Sequence, residues 1–158
     1  MFAKNTAIQL EDGSVIFVQD LRAGDIVKGG HRVKTLVVHE HGPFDIALVS
    51  PGLRISMWHP MMTAVTQFWV FPIHNAHSYQ LDVNEPMYDL VLESGHTVIA
   101  DGVTCCTLGH GIKDHVAGHE YYGTDKILRD IGPEPIVTIK KLRCLRNSQG
   151  IVYKWLVI

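Results

Sequence analysis

The chain has 158 residues and a mass of 17.7 kDa, the size of one ordinary domain, with 46% hydrophobic and 19% charged residues. That balance excludes a disordered chain, and the lack of any fixed repeat period excludes a solenoid or coiled coil. The net charge of −2 hides an asymmetry: residues 1–134 carry −7, whereas residues 135–158 carry Lys140, Lys141, Arg143, Arg146 and Lys154 and no acid.

In chain order, residues 7–10 and 15–18 predict a tight hairpin, because Asp12-Gly13 supplies the positive φ such turns need. Residues 21–27 predict a turn feeding a strand, and residues 32–38 and 45–49 two more, with Gly42-Pro43 between them. Residues 53–58, 67–71, 87–92, 96–100 and 103–108 are short, rich in β-branched and aromatic side chains, and separated by Pro, Gly and Asn breaks, so each is predicted as a strand. One helix is expected between Gly123 and Pro133, with Thr124 or Asp125 capping its start and Gly132-Pro133 stopping it. Residues 136–143 and 151–157 then predict a hairpin around Asn147-Ser148-Gln149-Gly150 that carries the cationic residues. The expected fold class is all-β: a body over residues 1–111, and an extension over residues 112–158 with one short helix and the basic hairpin.

No apolar run approaches the length that spans a bilayer, so no transmembrane segment is expected. The first residues lack the basic patch and long apolar run of a secretory signal. Three cysteines, two of them adjacent (Cys105, Cys106 and Cys144), do not predict a disulfide framework.

Several strings then act together. Phe2-Ala3-Lys4-Asn5-Thr6 opens the hairpin that turns at Asp12-Gly13, and Leu21-Arg22-Ala23-Gly24-Asp25 follows it. Ser56-Met57-Trp58-His59, Ile99-Ala100-Asp101-Gly102-Val103, Thr107-Leu108-Gly109-His110-Gly111 and Tyr122-Gly123-Thr124 come later. This set resembles the Hint domain, the self-processing fold shared by hedgehog C-terminal domains and inteins. Within that superfamily it is most similar to the Vint subfamily, whose members follow von Willebrand A-type domains. The resemblance covers residues 1–131 and implies a horseshoe-like all-β fold.

The resemblance also implies an activity: autocatalytic cleavage of the peptide bond before residue 1 by an N to S acyl shift, with no cofactor. Its substrate would be an upstream segment, a von Willebrand A-type domain, released to a nucleophilic adduct whose identity stays open: water, an amine, a thiol or a surface-held acceptor. Met1 stands where the family has its nucleophilic cysteine, and a thioether has no proton to lose, so the expectation is that methionine replaces a natural cysteine. His59 would protonate the scissile nitrogen, with Ser56 polarising the carbonyl or orienting the ring. A second family cysteine falls at Cys105 or Cys106, or at Thr107 in an ungapped comparison; Cys105 is favoured, and core packing is the competing reading of both cysteines. His39 falls where hedgehog domains place a catalytic aspartate and would be a second proton carrier, or else lie on a surface loop. No terminal His-Asn pair is present, so splicing is not expected. A monomer is expected.

Two other classes compete with this one. The cations Lys140, Lys141, Arg143, Arg146 and Lys154, interleaved with Tyr153 and Trp155, fit contact with a polyanion such as a sulfated glycan, nucleic acid or acidic lipid, or they solvate an edge strand. Cys105, Cys106, His110, His115 and His119 fit zinc chemistry, with His115 and His119 at i, i+4, although Gly118 and the absence of helical periodicity weaken that geometry, and no metal ligand set is assigned.

Overall fold

A computed structural model describes all 158 residues. Its strands are β1 (Phe2–Ala3), β2 (Ala7–Gln9), β3 (Val15–Phe17), β4 (Ile26–Val27), β5 (His31–His39), β6 (Phe44–Val49), β7 (Leu53–Ser56), β8 (Met61–Met62), β9 (Ser78–Val83), β10 (Met87–Leu92), β11 (Thr97–Ala100), β12 (Val103–Cys106), β13 (Ile136–Ile139), β14 (Leu142–Arg146) and β15 (Val152–Val157). One helix, α1 (Asp125–Ile131), interrupts them, and the fold is all-β as expected.

The first hairpin forms for the reasons its sequence gives. Ala7 to Gln9 pair with Phe17 to Val15 in antiparallel register, Gly13 takes φ 88°, and Asp12 Oδ1 accepts the Ser14 backbone N–H at 2.9 Å. The helix is likewise bounded by its own residues. Thr124 Oγ1 accepts the Lys126 N–H at 3.3 Å, and Gly132 at φ 84° ends the helix by donating to the Leu128 carbonyl.

Most of the strand residues belong to one mixed sheet in the order β13-β5-β10-β1-β7-β6-β9, with β4 paired to β5. A second sheet runs β3-β2-β11-β12-β8. The two-residue β1 therefore lies in the middle of the large sheet, with Phe2 opposite both Tyr88 of β10 and Ile55 of β7. Phe2 and Ala3 are fully buried, which brings the backbone nitrogen of residue 1 into the protein. The main core lies between the two sheets and includes Phe2, Ile8, Leu21, Leu53, Ile55, Met61, Leu90 and Cys105.

Three expectations change. Residues 67–71 do not form a strand: the hydroxyls of Thr63 and Thr66 take up each other's backbone N–H at 3.0 Å, and Gln67 sits at φ 54°. Only Val70 then bridges to Met61. Conversely, β9 is a strand with almost no apolar alternation. Its side chains are nearly all exposed, and it is held by pairing with β6 and by Arg54, which donates to Gln80 and Glu85. Finally, residues 136–143 do not run as one strand. Ile136–Ile139 lies parallel to β5, with Ile139 opposite His39, and the chain breaks at Lys140-Lys141 before β14 and β15 pair as a separate hairpin. That hairpin packs over the outer side of β5 through a cluster of Val37, Tyr121, Ile127, Ile139, Val152 and Trp155. Each such buried side chain contributes about 2 kcal/mol of apolar burial.

Candidate active site

The nitrogen of Met1 is the centre of a polar cluster within the large sheet. As an ammonium it donates to His59 Nδ1 at 2.7 Å and Ser56 Oγ at 3.0 Å, and it lies 3.1 Å from Asp89 Oδ1. Three local features bring these groups together. Ser56 ends β7, and its backbone N–H donates to the Met1 carbonyl at 3.0 Å, continuing the β1–β7 pairing. The turn that follows, with the His59 N–H bonded to the Ser56 carbonyl at 3.3 Å, aims both side chains at one atom. Asp89 comes from the neighbouring strand β10 on the other side of β1.

His59 is fixed at its second nitrogen as well. Nε2 lies 2.7 Å from the Cys106 carbonyl, and the Phe2 ring packs 4.7 Å from the imidazole. A carbonyl only accepts, so Nε2 carries the proton and Nδ1 presents its lone pair to the nitrogen of residue 1. Burial of the ring and the neighbouring ammonium lower the His59 pKa from its ordinary 6.5 to about 3. For Asp89 the contributions oppose one another. Burial pushes its carboxyl up, but the ammonium and the hydrogen bond from His39 outweigh it and hold the group well below the usual carboxylate range.

The sequence-predicted residues separate into those that converge and those that do not. Met1, Ser56 and His59 meet directly. Cys106 joins them through its carbonyl. Its thiol is nearly buried, and burial pushes it up to about 12. Cys105, favoured from the sequence, is fully enclosed in the main core, its thiol directed at the Val103 carbonyl and also pushed up by burial. Alternation along β12 separates the two cysteines onto opposite faces, which the sequence register alone did not decide. Thr107 is buried with its hydroxyl and its N–H on the His96 carbonyl, away from residue 1.

His39 does not lie on a surface loop. It ends β5 at 2% exposure, and its Nε2 is 2.9 Å from Asp89 Oδ2. Asp89 itself was missed in the sequence, although a signal was present. Met87–Leu92 is buried at all six positions, and Asp89 is the one ionisable acid in the run.

The histidines downstream do not gather. His110 Nδ1 accepts the Ile112 N–H at 2.8 Å, His119 Nδ1 accepts those of Tyr121 and Tyr122 at 3.1 Å, and His115 is exposed. No three His, Cys, Asp or Glu side chains converge as a metal would require, so the donor geometry does not fit the zinc reading. The cations are divided. Lys140 and Lys141 lie exposed at the strand break, Arg143 and Lys154 are exposed on the hairpin, and Arg146 donates to the Gly150 carbonyl at its turn. No helix is long and apolar enough to cross a membrane.

His59, Ser56 and Asp89 thus surround the nitrogen of residue 1. The Vint family model, a Hint-domain model, matches residues 1–148, and the chain belongs to that family, which suggests an autoprocessing-type domain. The match runs through α1, β13 and β14, beyond the residues whose motifs carried the resemblance. No curated protein matches the chain.

Proposed function

We propose that this domain cleaves the peptide bond preceding residue 1 when that residue is cysteine, by an N to S acyl shift followed by release of the thioester to a nucleophile. The observation that carries the reading is the set of three side chains on one backbone nitrogen: His59, Ser56 and Asp89. In a chain with a preceding residue this atom is the nitrogen of the scissile amide.

The chemistry follows from these positions. The thiol sulfur attacks the preceding carbonyl carbon and forms an oxyanion, and the thiol proton passes to the lone pair of His59 Nδ1, giving an imidazolium. Collapse of that adduct breaks the C–N bond. The departing nitrogen takes a proton from His59 Nδ1, the closest side-chain atom to it, and leaves as an amine. The carbonyl of Cys106 on Nε2 stabilises the imidazolium while it exists. Asp89 stabilises the positive charge that the nitrogen carries once it is protonated in the adduct, a charge absent from the amide. A nucleophile then attacks the thioester and frees the upstream segment. Met1 supplies no thiol, so this sequence cannot run the first step.

The test is intact mass over time for a Met1→Cys chain carrying a short upstream peptide, with and without added thiol, beside the same chain with His59→Ala. Thiol-stimulated loss of the peptide that His59→Ala suppresses supports the reading, and a stable mass in every condition with the fold intact defeats it.

A second reading rests on the C-terminal cations. Lys140, Lys141, Arg143 and Lys154 are exposed and have no acidic partner within ion-pair distance. Uncompensated charge of one sign supports electrostatic contact with a polyanion.

A further inference from the structure

Behind Asp89 lies a second layer of side chains that the proposed reaction does not use. His39 Nε2 donates to Asp89 Oδ2, while His39 Nδ1 is buried and has no hydrogen-bond partner. A proton on Nδ1 would be stranded among aromatic rings, whereas the neutral ring with its proton on Nε2 leaves only a lone pair unpaired. The ring is gripped edge-to-face by Trp155, at 5.3 Å and 85°, and by Phe44, at 6.4 Å and 75°.

Trp155 is in turn fixed at both ends. Its backbone N–H donates to the Tyr121 hydroxyl at 2.9 Å, and its indole N–H donates to the Tyr122 hydroxyl at 3.1 Å. The Tyr121 hydroxyl in turn donates to Asp130 on α1 at 2.6 Å. Two pieces of chain after residue 120 therefore reach His39, β13 beside β5 and β15 through Trp155, and the tyrosine pair holds Trp155.

We propose that His39 is a positioning residue, held by Trp155 of the C-terminal hairpin, that aims the Asp89 carboxylate at the nitrogen of residue 1, making the hairpin a working part of the site. The proposal rests on Asp89 serving that nitrogen, yet it concerns an arrangement already present in the chain with Met1, so it is tested without cleavage. The groups facing Asp89 are the Met1 ammonium just before β1, His39 from β5 and His59 from the turn after β7. The Cys106 thiol and the Tyr122 hydroxyl also lie within its field.

Two readouts use the full chain as it stands. Imidazole ¹⁵N–¹H spectra at neutral pH report a fixed Nε2–H tautomer for His39. The acetylation rate of the Met1 α-amine, followed by mass of the N-terminal peptide across pH, reports how firmly Asp89 holds that amine. Trp155→Ala is expected to release the His39 tautomer into averaging and raise the acetylation rate several-fold. Trp155→Phe keeps an aromatic edge and restores both, and Leu156→Ala, at an exposed position on β15, leaves both unchanged.

If Trp155→Ala disrupts the hairpin, His39→Ala gives the same answer with the hairpin intact, through the same rise in amine reactivity. Unchanged tautomer and unchanged acetylation in folded Trp155→Ala, or unchanged acetylation in His39→Ala, overturn the proposal. In a Met1→Cys chain that cleaves its upstream peptide, Trp155→Ala slows cleavage by about tenfold or more, as expected when an acting group is displaced by a fraction of an ångström. A parent chain that never cleaves removes the proposed function, but the tautomer and acetylation results still decide the role of His39 and Trp155.

Discussion

The Cys106 carbonyl accepts the Nε2 proton of His59 at 2.7 Å, and this bond fixes which His59 nitrogen faces residue 1. With Nε2 committed as a donor, Nδ1 faces the backbone nitrogen 2.7 Å away and is the atom that would exchange protons with it in the proposed reaction. Removing the ring removes that transfer. In a Met1→Cys chain bearing an upstream peptide, His59→Ala lowers the cleavage rate by about 10²- to 10⁴-fold, the range for a positioned general acid. The measurement is intact mass against time, and retention of more than a tenth of the parent rate contradicts the assignment.

Asp89 and Ser56 share the same nitrogen but carry different charge. Asp89→Asn keeps the shape and an oxygen for the His39 N–H but removes the anion that stabilises the departing amine, so it slows cleavage more than Ser56→Ala, which removes one neutral hydrogen bond worth about 1 kcal/mol. Parallel time courses of the two variants decide this. A larger loss in Ser56→Ala would mean that the carboxylate does not act on the reacting nitrogen.

Stability depends on pH in a direction set by the buried imidazoles. Unfolded, each takes up a proton near pH 6.5; folded, His59 does so only near 3 and His110 near 4, burial being the main cause in both. Across pH 6.5 to 4 the unfolded chain therefore binds up to about two more protons than the folded one, and stability falls as pH falls. Asp89 extends the decline below pH 4, because its folded carboxyl stays charged where an unfolded carboxyl is protonated. Urea midpoints at pH 7 and 4.5 measure the effect, and His59→Gln flattens it. A midpoint that rises toward pH 4.5 would contradict the buried neutral state of these rings.

The three thiols differ in access. Cys105 and Cys106 are buried, and burial raises both thiol pKa values, whereas Cys144 is partly exposed. Alkylation of the native chain at pH 8 is expected to label Cys144 first and the other two only after unfolding, as read by peptide mass. Rapid native labelling of Cys106 would show that its thiol reaches solvent.

If the exposed cations bind a polyanion, retention on a heparin column falls steeply with salt, and neutralising Lys140, Lys141 and Arg143 together abolishes it. The five cations do not act as one strip, since Arg146 is occupied at the hairpin turn. Arg146→Gln is therefore expected to weaken retention less than Lys154→Gln. Retention that persists in high salt would exclude an electrostatic contact.

Much of this was legible in the sequence because it is written locally. The first hairpin, the capped helix and most strands follow from turn residues, caps and β-branched runs that act within a few positions. Ser56 and His59 came from the resemblance to the Hint superfamily, and the turn after β7 places both beside residue 1. Three features were not legible. β9 has a polar sequence because it lies at the sheet edge, and its pairing with β6 leaves no apolar stripe. β13 pairs with a strand 100 residues earlier, and nothing local distinguishes a parallel partner from a hairpin partner. Which face Cys105 and Cys106 each take required the register of β12, because a shift of one residue turns every side chain to the other face. Asp89 could have been found from the cost of placing a charge in a buried strand.

The parallel pairing of β13 on β5 also bears on timing. A ribosome delivers this chain from residue 1 onward, so β1 emerges first, β10 roughly 85 residues later, the Cys106 carbonyl after that, and β13 and Trp155 near the end. Contacts spanning such separations form late, because the intervening chain must exist and close before they are rewarded. Nascent chains that end before Cys106 lack the carbonyl that orients His59. The geometry at residue 1 is thus assembled only when translation of the domain is nearly complete, and under the proposed function a segment synthesised ahead of it would be spared early release.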